Sequence, residues 1–255
     1  MSSASSASSA SASSSLGSQD ASASAAAGVT VPSIDPRSID SCSQDSSTPD
    51  PSTPDPRPQL IHHAHAFHQR GWMFGTAGNL SAKLPDGSFW ITASGCSKGE
   101  LTPLQFVRLS ATGELLTQPT PAAKPSAEAS IHQAIYACFP EACACYHVHS
   151  VPATLLSNRV VDDQLALPAI EMIKGLGVWN ENPVVKLALF PNHLQVPRIA
   201  EAIAAQFREQ TPDVPACLIR NHGVTVWGAS PEEARNRVEV IEFLFQYLLA
   251  GQLYS

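Results

Sequence analysis

The chain has 255 residues, 15% of them charged, and a net charge of −7. It carries no block of Lys and Arg, which argues against nucleic acid as its main partner. No apolar run approaches the roughly 20 residues that span a bilayer, so the sequence reads as a soluble, cytoplasmic protein with no membrane partner.

Residues 1–56 are mostly Ser, Ala, Pro and Asp, with Arg37 as their only cation. Ser-Thr-Pro-Asp-Pro occurs twice within Ser47–Pro56. Such a stretch buries too little apolar surface to offset its ordering entropy, and it reads as a disordered tail. It lacks the basic and apolar regions of a secretory signal and the arginines of a mitochondrial one. Residues 57–255 suit one compact domain. The six cysteines form no CxxC pair and read as free thiols in a reducing compartment.

Gln59–Arg70 reads as a helix ending at Gly71. Its His62, His63, His65 and His68 suit a solvated face better than a metal site. Ser88–Thr92 reads as a strand. A helix is expected from Ser126, with Ile131, Ala134, Ile135 and Cys138 on one stripe. Ala144–Ser150 reads as a strand, Val184–Phe190 as another, and Pro197–Arg208 as a helix. Ala216–Arg220 and Val224–Trp227 bracket a turn like the arms of a hairpin. Ser230-Pro231-Glu232-Glu233 combines a capping box with a Pro at the first helical position. The helix it opens has one apolar stripe at Ala234, Val238, Ile241, Phe245 and Leu248, and a second at Val240, Leu244 and Tyr247. Strands and helices mix without a regular βαβ repeat, which predicts a layered α/β fold with helices packed on a sheet.

His147 and His149 alternate along the strand at 144–150, so both side chains point to one face, roughly 6.5–7 Å apart. Two imidazoles at that spacing can share one metal ion, but two core or surface histidines would look the same. His222, in the turn between the hairpin arms, is the candidate third ligand. Three neutral imidazoles with one open position are the usual catalytic Zn²⁺ set. Cys145 shares the face, yet it lies roughly 13 Å along the strand from His149 and is left out.

Three segments look built for an anion: Thr76–Ser81, a turn of small polar residues; Thr92–Gly99, directly after a strand; and Lys124–Glu128, before a helix. Backbone N–H groups, hydroxyls and a Lys can cradle a phosphate if the three fold together. Glu171 sits among apolar neighbours, where partial burial suits a carboxylate for acid–base work. A surface Glu on a short strand or helix is the plainer alternative.

The ordered set Gly78-Asn79-Leu80-Ser81, Ser94-Gly95, Lys124-Pro125-Ser126-Ala127-Glu128, His147-Val148-His149-Ser150 and Asn221-His222-Gly223 resembles the class II aldolase/adducin family. The resemblance covers about residues 60–250. Arg70-Gly71-Trp72, Ser94–Gly99, Glu171–Gly175, Arg220–Gly228 and Glu242–Phe245 draw it toward a dehydratase branch of that family. It implies a three-layer α/β/α fold with a mostly antiparallel central sheet. It also implies one Zn²⁺ per subunit on His147, His149 and His222, and a homotetramer. The implied activity is loss of water from a small-molecule sugar phosphate. The phosphate would be held by Asn79, Ser94, Gly95, Lys98 and Ser126. Glu171 matches the position of the catalytic acid/base. Glu128 matches the glutamate that related aldolases use, and is the second candidate. Carbon–carbon cleavage, or a non-catalytic interaction module, are the alternatives within the family.

Overall fold

The computed structural model describes residues 54–251. The expected disordered tail lies outside the described residues except for 54–56, which lead into the first helix.

In chain order the elements are α1 (Arg57–Gln69), β1 (Asn79–Lys83), β2 (Phe89–Thr92), β3 (Phe106–Leu109), β4 (Leu115–Thr117), α2 (Ala129–Cys138), β5 (Ala144–Val148), α3 (Val151–Arg159), β6 (Gln164–Leu167), β7 (Val185–Phe190), α4 (Val196–Glu209), β8 (Ala216–Ile219), β9 (Gly223–Gly228) and α5 (Pro231–Gly251). The nine strands form one sheet in the order β4-β3-β2-β1-β5-β9-β8-β7-β6. Every neighbouring pair is antiparallel except β7 and β8.

Strand alternation sends two sets of side chains to opposite faces. On one face Cys145, Ala188, Phe190, Cys217, Ile219 and Trp227 pack against Ile131 and Ile135 of α2 and Ile199, Ile203 and Phe207 of α4. On the other, Tyr146, Val148, Leu187, Leu218, Val224 and Val226 pack against α1, α3 and α5. The result is the expected α/β/α layering around a mostly antiparallel sheet. Each fully buried Leu, Ile or Phe in these layers contributes about 1.5–3 kcal/mol. No helix among the described residues is long and apolar enough to cross a membrane.

Four local expectations change. Thr76–Ser81 is not all turn, because Asn79 opens β1 and pairs with His147 of β5. Ser126 does not cap α2. The helix begins at Ala129, and the Ser126 hydroxyl is instead engaged by the Asn79 amide and the Glu128 N–H. The histidines of α1 do not share one solvated face. Leu60, His63, Ala64 and Phe67 form the buried stripe, and His63 falls on it because its spacing is that of the apolar residues. On α5 the second stripe is only partly buried, since Tyr247 remains 48% exposed.

Candidate metal centre

The sheet centre carries the site. His147 lies near the end of β5, directly opposite Thr225 of β9. His149 follows Val148, the last residue of β5, and its backbone N–H donates to the Trp72 carbonyl. His222 is held in the turn from β8 to β9. Asn221 takes a left-handed backbone there (φ 52°), which Asn tolerates better than most residues. Gly223 closes the turn so tightly that a Cβ would lie 2.2 Å from the Val148 carbonyl oxygen. A glycine is therefore required for β9 to approach β5 at the point where the histidines meet.

The three imidazoles stand nearly perpendicular to one another, with ring centroids 4.5–4.9 Å apart. His147 Nε2 and His149 Nε2 are 2.8 Å apart. Glu128, immediately before α2, joins them. Its Oε1 is 2.8 Å from His222 Nε2, 3.6 Å from His149 Nε2 and 3.8 Å from His147 Nε2. Among the described residues, this is the one group of metal-ligand types that converges, with all four ligand atoms within 4.8 Å of one another.

The donor set fits a divalent ion. His147 Nδ1 is 2.8 Å from the Thr225 hydroxyl, and donation of Nδ1–H to Thr225 leaves the Nε2 lone pair facing the cluster. Burial holds the His147 imidazole well below the usual histidine range, which keeps it in the neutral form a metal needs. Burial alone would raise the Glu128 carboxyl. The three neighbouring histidines overcome that and hold it well below the usual carboxylate range.

The anion segments do come together. Asn79 Nδ2 donates to Ser126 Oγ at 3.2 Å and also to Glu128 Oε2. The Ser94 N–H donates to the Lys124 carbonyl at 2.9 Å. Lys98 Nζ donates to the Thr76 and Cys96 carbonyls, each at 2.8 Å. Ser94 and Gly95 are exposed on this edge, Asn79 is buried and Ser126 half-buried. Lys98 is buried, and its ammonium binds the two loops together. That burial lowers its pKa.

Glu171 lies elsewhere. It opens a short 3-10 helix, Glu171–Leu176, with its side chain 83% exposed and paired to Lys174 at 2.8 Å. It is outside the histidine cluster of this chain, and its setting is the surface alternative. Cys145 is likewise outside the cluster, buried among apolar side chains below the strand end. Sequence reasoning missed Thr225 and His132. Thr225 alternates with buried apolar residues on β9, a signal that needed the strand pairing to be read.

Comparison with known proteins identifies the family. Residues 58–249 match the family described as the Class II Aldolase and Adducin N-terminal domain. A methylthioribulose-1-phosphate dehydratase of Microcystis aeruginosa is 55% identical over 195 residues, 76% of this chain and 95% of that protein. A second, from Bacillus pumilus, is 38% identical over 73% of this chain and 88% of its own length. The crystal structure of YgbL from Escherichia coli superposes with a TM-score of 0.65 at 32% identity, over 76% of this chain and 88% of that one. An L-fuculose-1-phosphate aldolase from Thermus thermophilus shares the fold, with a TM-score of 0.62 at 24% identity over 78% and 95% of the two chains. The chain therefore belongs to the class II aldolase and adducin family.

Proposed function

We propose that this chain is a zinc-dependent hydro-lyase that converts 5-methylthioribulose 1-phosphate into 2,3-diketo-5-methylthiopentyl 1-phosphate. The observation that carries the reading is the convergence of His147, His149, His222 and Glu128 in a chain 55% identical to a dehydratase named for that substrate. A role in methionine salvage, a cytoplasmic setting and a homotetrameric assembly travel with the reading.

His147, His149 and His222 would hold the ion. Zn²⁺ bound there supplies Lewis-acid polarisation of the substrate's C2 ketone. The protein's own residues supply the rest. Asn79, Ser94, Gly95, Lys98 and Ser126 hold the phosphate edge, with Lys98 acting by fixing the loops that carry the others. Two carboxylates are proposed to move protons, Glu171 on the family resemblance and Glu128 on its position beside the histidines. One proton leaves C3 and one reaches the departing C4 hydroxyl, which goes as water. The C3–C4 enol left behind becomes the 2,3-diketone.

Aldol cleavage is the second reading, and Glu128's place beside the three histidines favours it. Incubation of the purified protein with 5-methylthioribulose 1-phosphate, followed by mass analysis, separates the two. Dehydration yields one product lighter by one water with the carbon skeleton intact. Two carbonyl fragments would overturn the dehydratase reading.

A further inference from the structure

Glu128, His132 and Tyr136 follow one another at i, i+4 and i+8 along the start of α2. Asn79 and Ser81 are i and i+2 on β1. Four helical residues rise about 6 Å and two strand residues about 6.6–7 Å, so the two rows keep step. The side chains interleave into one chain: Tyr136, Ser81, His132, Asn79, Glu128. Tyr136 Oη is 2.6 Å from Ser81 Oγ, and Ser81 Oγ is 2.6 Å from His132 Nδ1. His132 Nε2 meets Asn79 Oδ1, and Asn79 Nδ2 meets Glu128 Oε2. His132 and Ser81 are fully buried, and Asn79 nearly so.

The hydrogen-bond pattern sets the direction of the whole chain. A carboxylate only accepts, so Asn79 turns its NH₂ toward Glu128 and its oxygen toward His132, which therefore carries its proton on Nε2 and leaves Nδ1 as an acceptor. With Nδ1 accepting, the Ser81 hydroxyl donates to it at 2.6 Å, the nearer of its two acceptors, the other being the Cys145 carbonyl at 3.3 Å, and Tyr136 then donates to Ser81. The Asn79 NH₂ also donates to Ser126. Every donor then points toward the Glu128 carboxylate, and each bond polarises the next. A flip of the Asn79 amide would set an oxygen against that carboxylate and an NH₂ against a protonated ring nitrogen. A neutral His132 in this tautomer forbids the flip.

We infer that His132 is a positioning residue, which acts through the Asn79 amide to hold the Glu128 carboxylate in one orientation at the histidine cluster. The inference rests on the proposed reaction only for its kinetic arm. Burial lowers the His132 pKa to about 4, which agrees with a neutral ring at working pH.

The first test needs no turnover. Nitrogen-15 NMR of histidine-labelled, metal-free full-length protein reads the His132 tautomer. Nε2–H is expected, and Nδ1–H would overturn the inference. The kinetic test compares His132→Gln with His132→Leu. Glutamine can donate toward Asn79 and accept from Ser81, whereas leucine can do neither. In His132→Leu, kcat is expected to fall about 10–100-fold with KM within about twofold and metal content unchanged, as when a ligand's supporting hydrogen bond is lost. His132→Gln is expected to recover most of that loss. Equal losses in the two variants, or a change confined to KM, would overturn the inference. If His132→Leu does not fold, Ser81→Ala carries the same comparison, with a smaller kcat loss expected and an unchanged kcat counting against the inference. In a Glu128→Gln background, His132→Leu is expected to add nothing, and an additive loss would mean that His132 acts elsewhere. Absence of wild-type turnover on the named substrate would overturn the proposed reaction and leave the tautomer test readable.

Discussion

The two faces of β5 use the same residue types for different ends. On one face His147 meets His149, His222 and Glu128, and their ring nitrogens crowd together. On the other, Tyr146 points into the α1/α5 layer. There its hydroxyl is 2.8 Å from His63 Nδ1, and His63 Nε2 is 3.2 Å from Glu232 Oε2. Both faces bury a histidine beside a carboxylate. His63 has a separate partner for each nitrogen, so it ties α1 to the sheet and to α5 and leaves no lone pair to offer. At the cluster, several Nε2 atoms compete for one carboxylate oxygen, an arrangement that a cation would relieve. Convergence of unspent nitrogens, more than burial or charge, separates a candidate metal site from a structural tie.

That contrast breaks most sharply at the ligands. His147→Ala or His222→Ala is expected to abolish metal retention and turnover, read by elemental analysis and product assay. Normal metal content in either variant would erase the distinction between the faces. Next come the carboxylates. Glu128→Gln or Glu171→Gln is expected to keep the metal and lose turnover by about 10²–10⁴-fold, the usual worth of a proton-transfer group. Whichever variant loses more identifies the principal proton carrier.

A third effect concerns acid. His132 has its pKa lowered by burial to about 4 in the folded chain, below its unfolded value. A depressed histidine pKa contributes stability that is complete above the unfolded value of about 6.5 and is lost as pH falls toward 4. The linkage is on the order of 3 kcal/mol for this one group. Urea denaturation of the metal-free protein at pH 7.5 and pH 4.5 should show the loss, and His132→Gln should shrink it. An equal loss in the variant would place the acid sensitivity on other groups, including His63, whose pKa burial also lowers.

Thr225→Val should weaken metal binding by about 10–100-fold, because it removes the partner that orients His147. Competition with a chelator measures this. The smallest effect belongs to the opposite face. His63→Phe is expected to cost about 1–3 kcal/mol in denaturation by leaving the Tyr146 hydroxyl without its partner, with metal affinity unchanged. A loss of metal there would show that the two faces are coupled.

Much of this was legible along the chain, for local reasons. The alternation of His147 and His149 states a shared face, and the Arg220–Val224 turn between two apolar runs marks His222 as projecting. The capping residues before Pro231 announce α5 without any tertiary information. His132 was hidden because an i, i+4, i+8 polar row on a mostly apolar helix acquires meaning only when β1 lies beside it. Asn79 looked like part of a turn because Gly78 and small polar residues surround it, yet pairing with β5 extends it. His63 looked solvated for the opposite reason: four histidines in one helix suggest a polar face until packing selects which of them turns inward. Glu171 looked half-buried because apolar residues flank it, yet Ile173 and Leu176 turn inward while its own side chain faces out toward Lys174.

The sheet order has a last consequence. After His149 the chain leaves to build β6, β7 and β8, and it returns to the centre only at β9, where His222 arrives. Any ion gripped by both His149 and His222 would therefore staple the two ends of residues 150–221. A cross-link that closes a long loop removes conformations from the unfolded chain, and the gain grows slowly with loop length. The far half of the sheet, which has no share in the cluster itself, should then melt later when metal is present. Hydrogen exchange in β7, two strands from β9, would report the occupancy of the site.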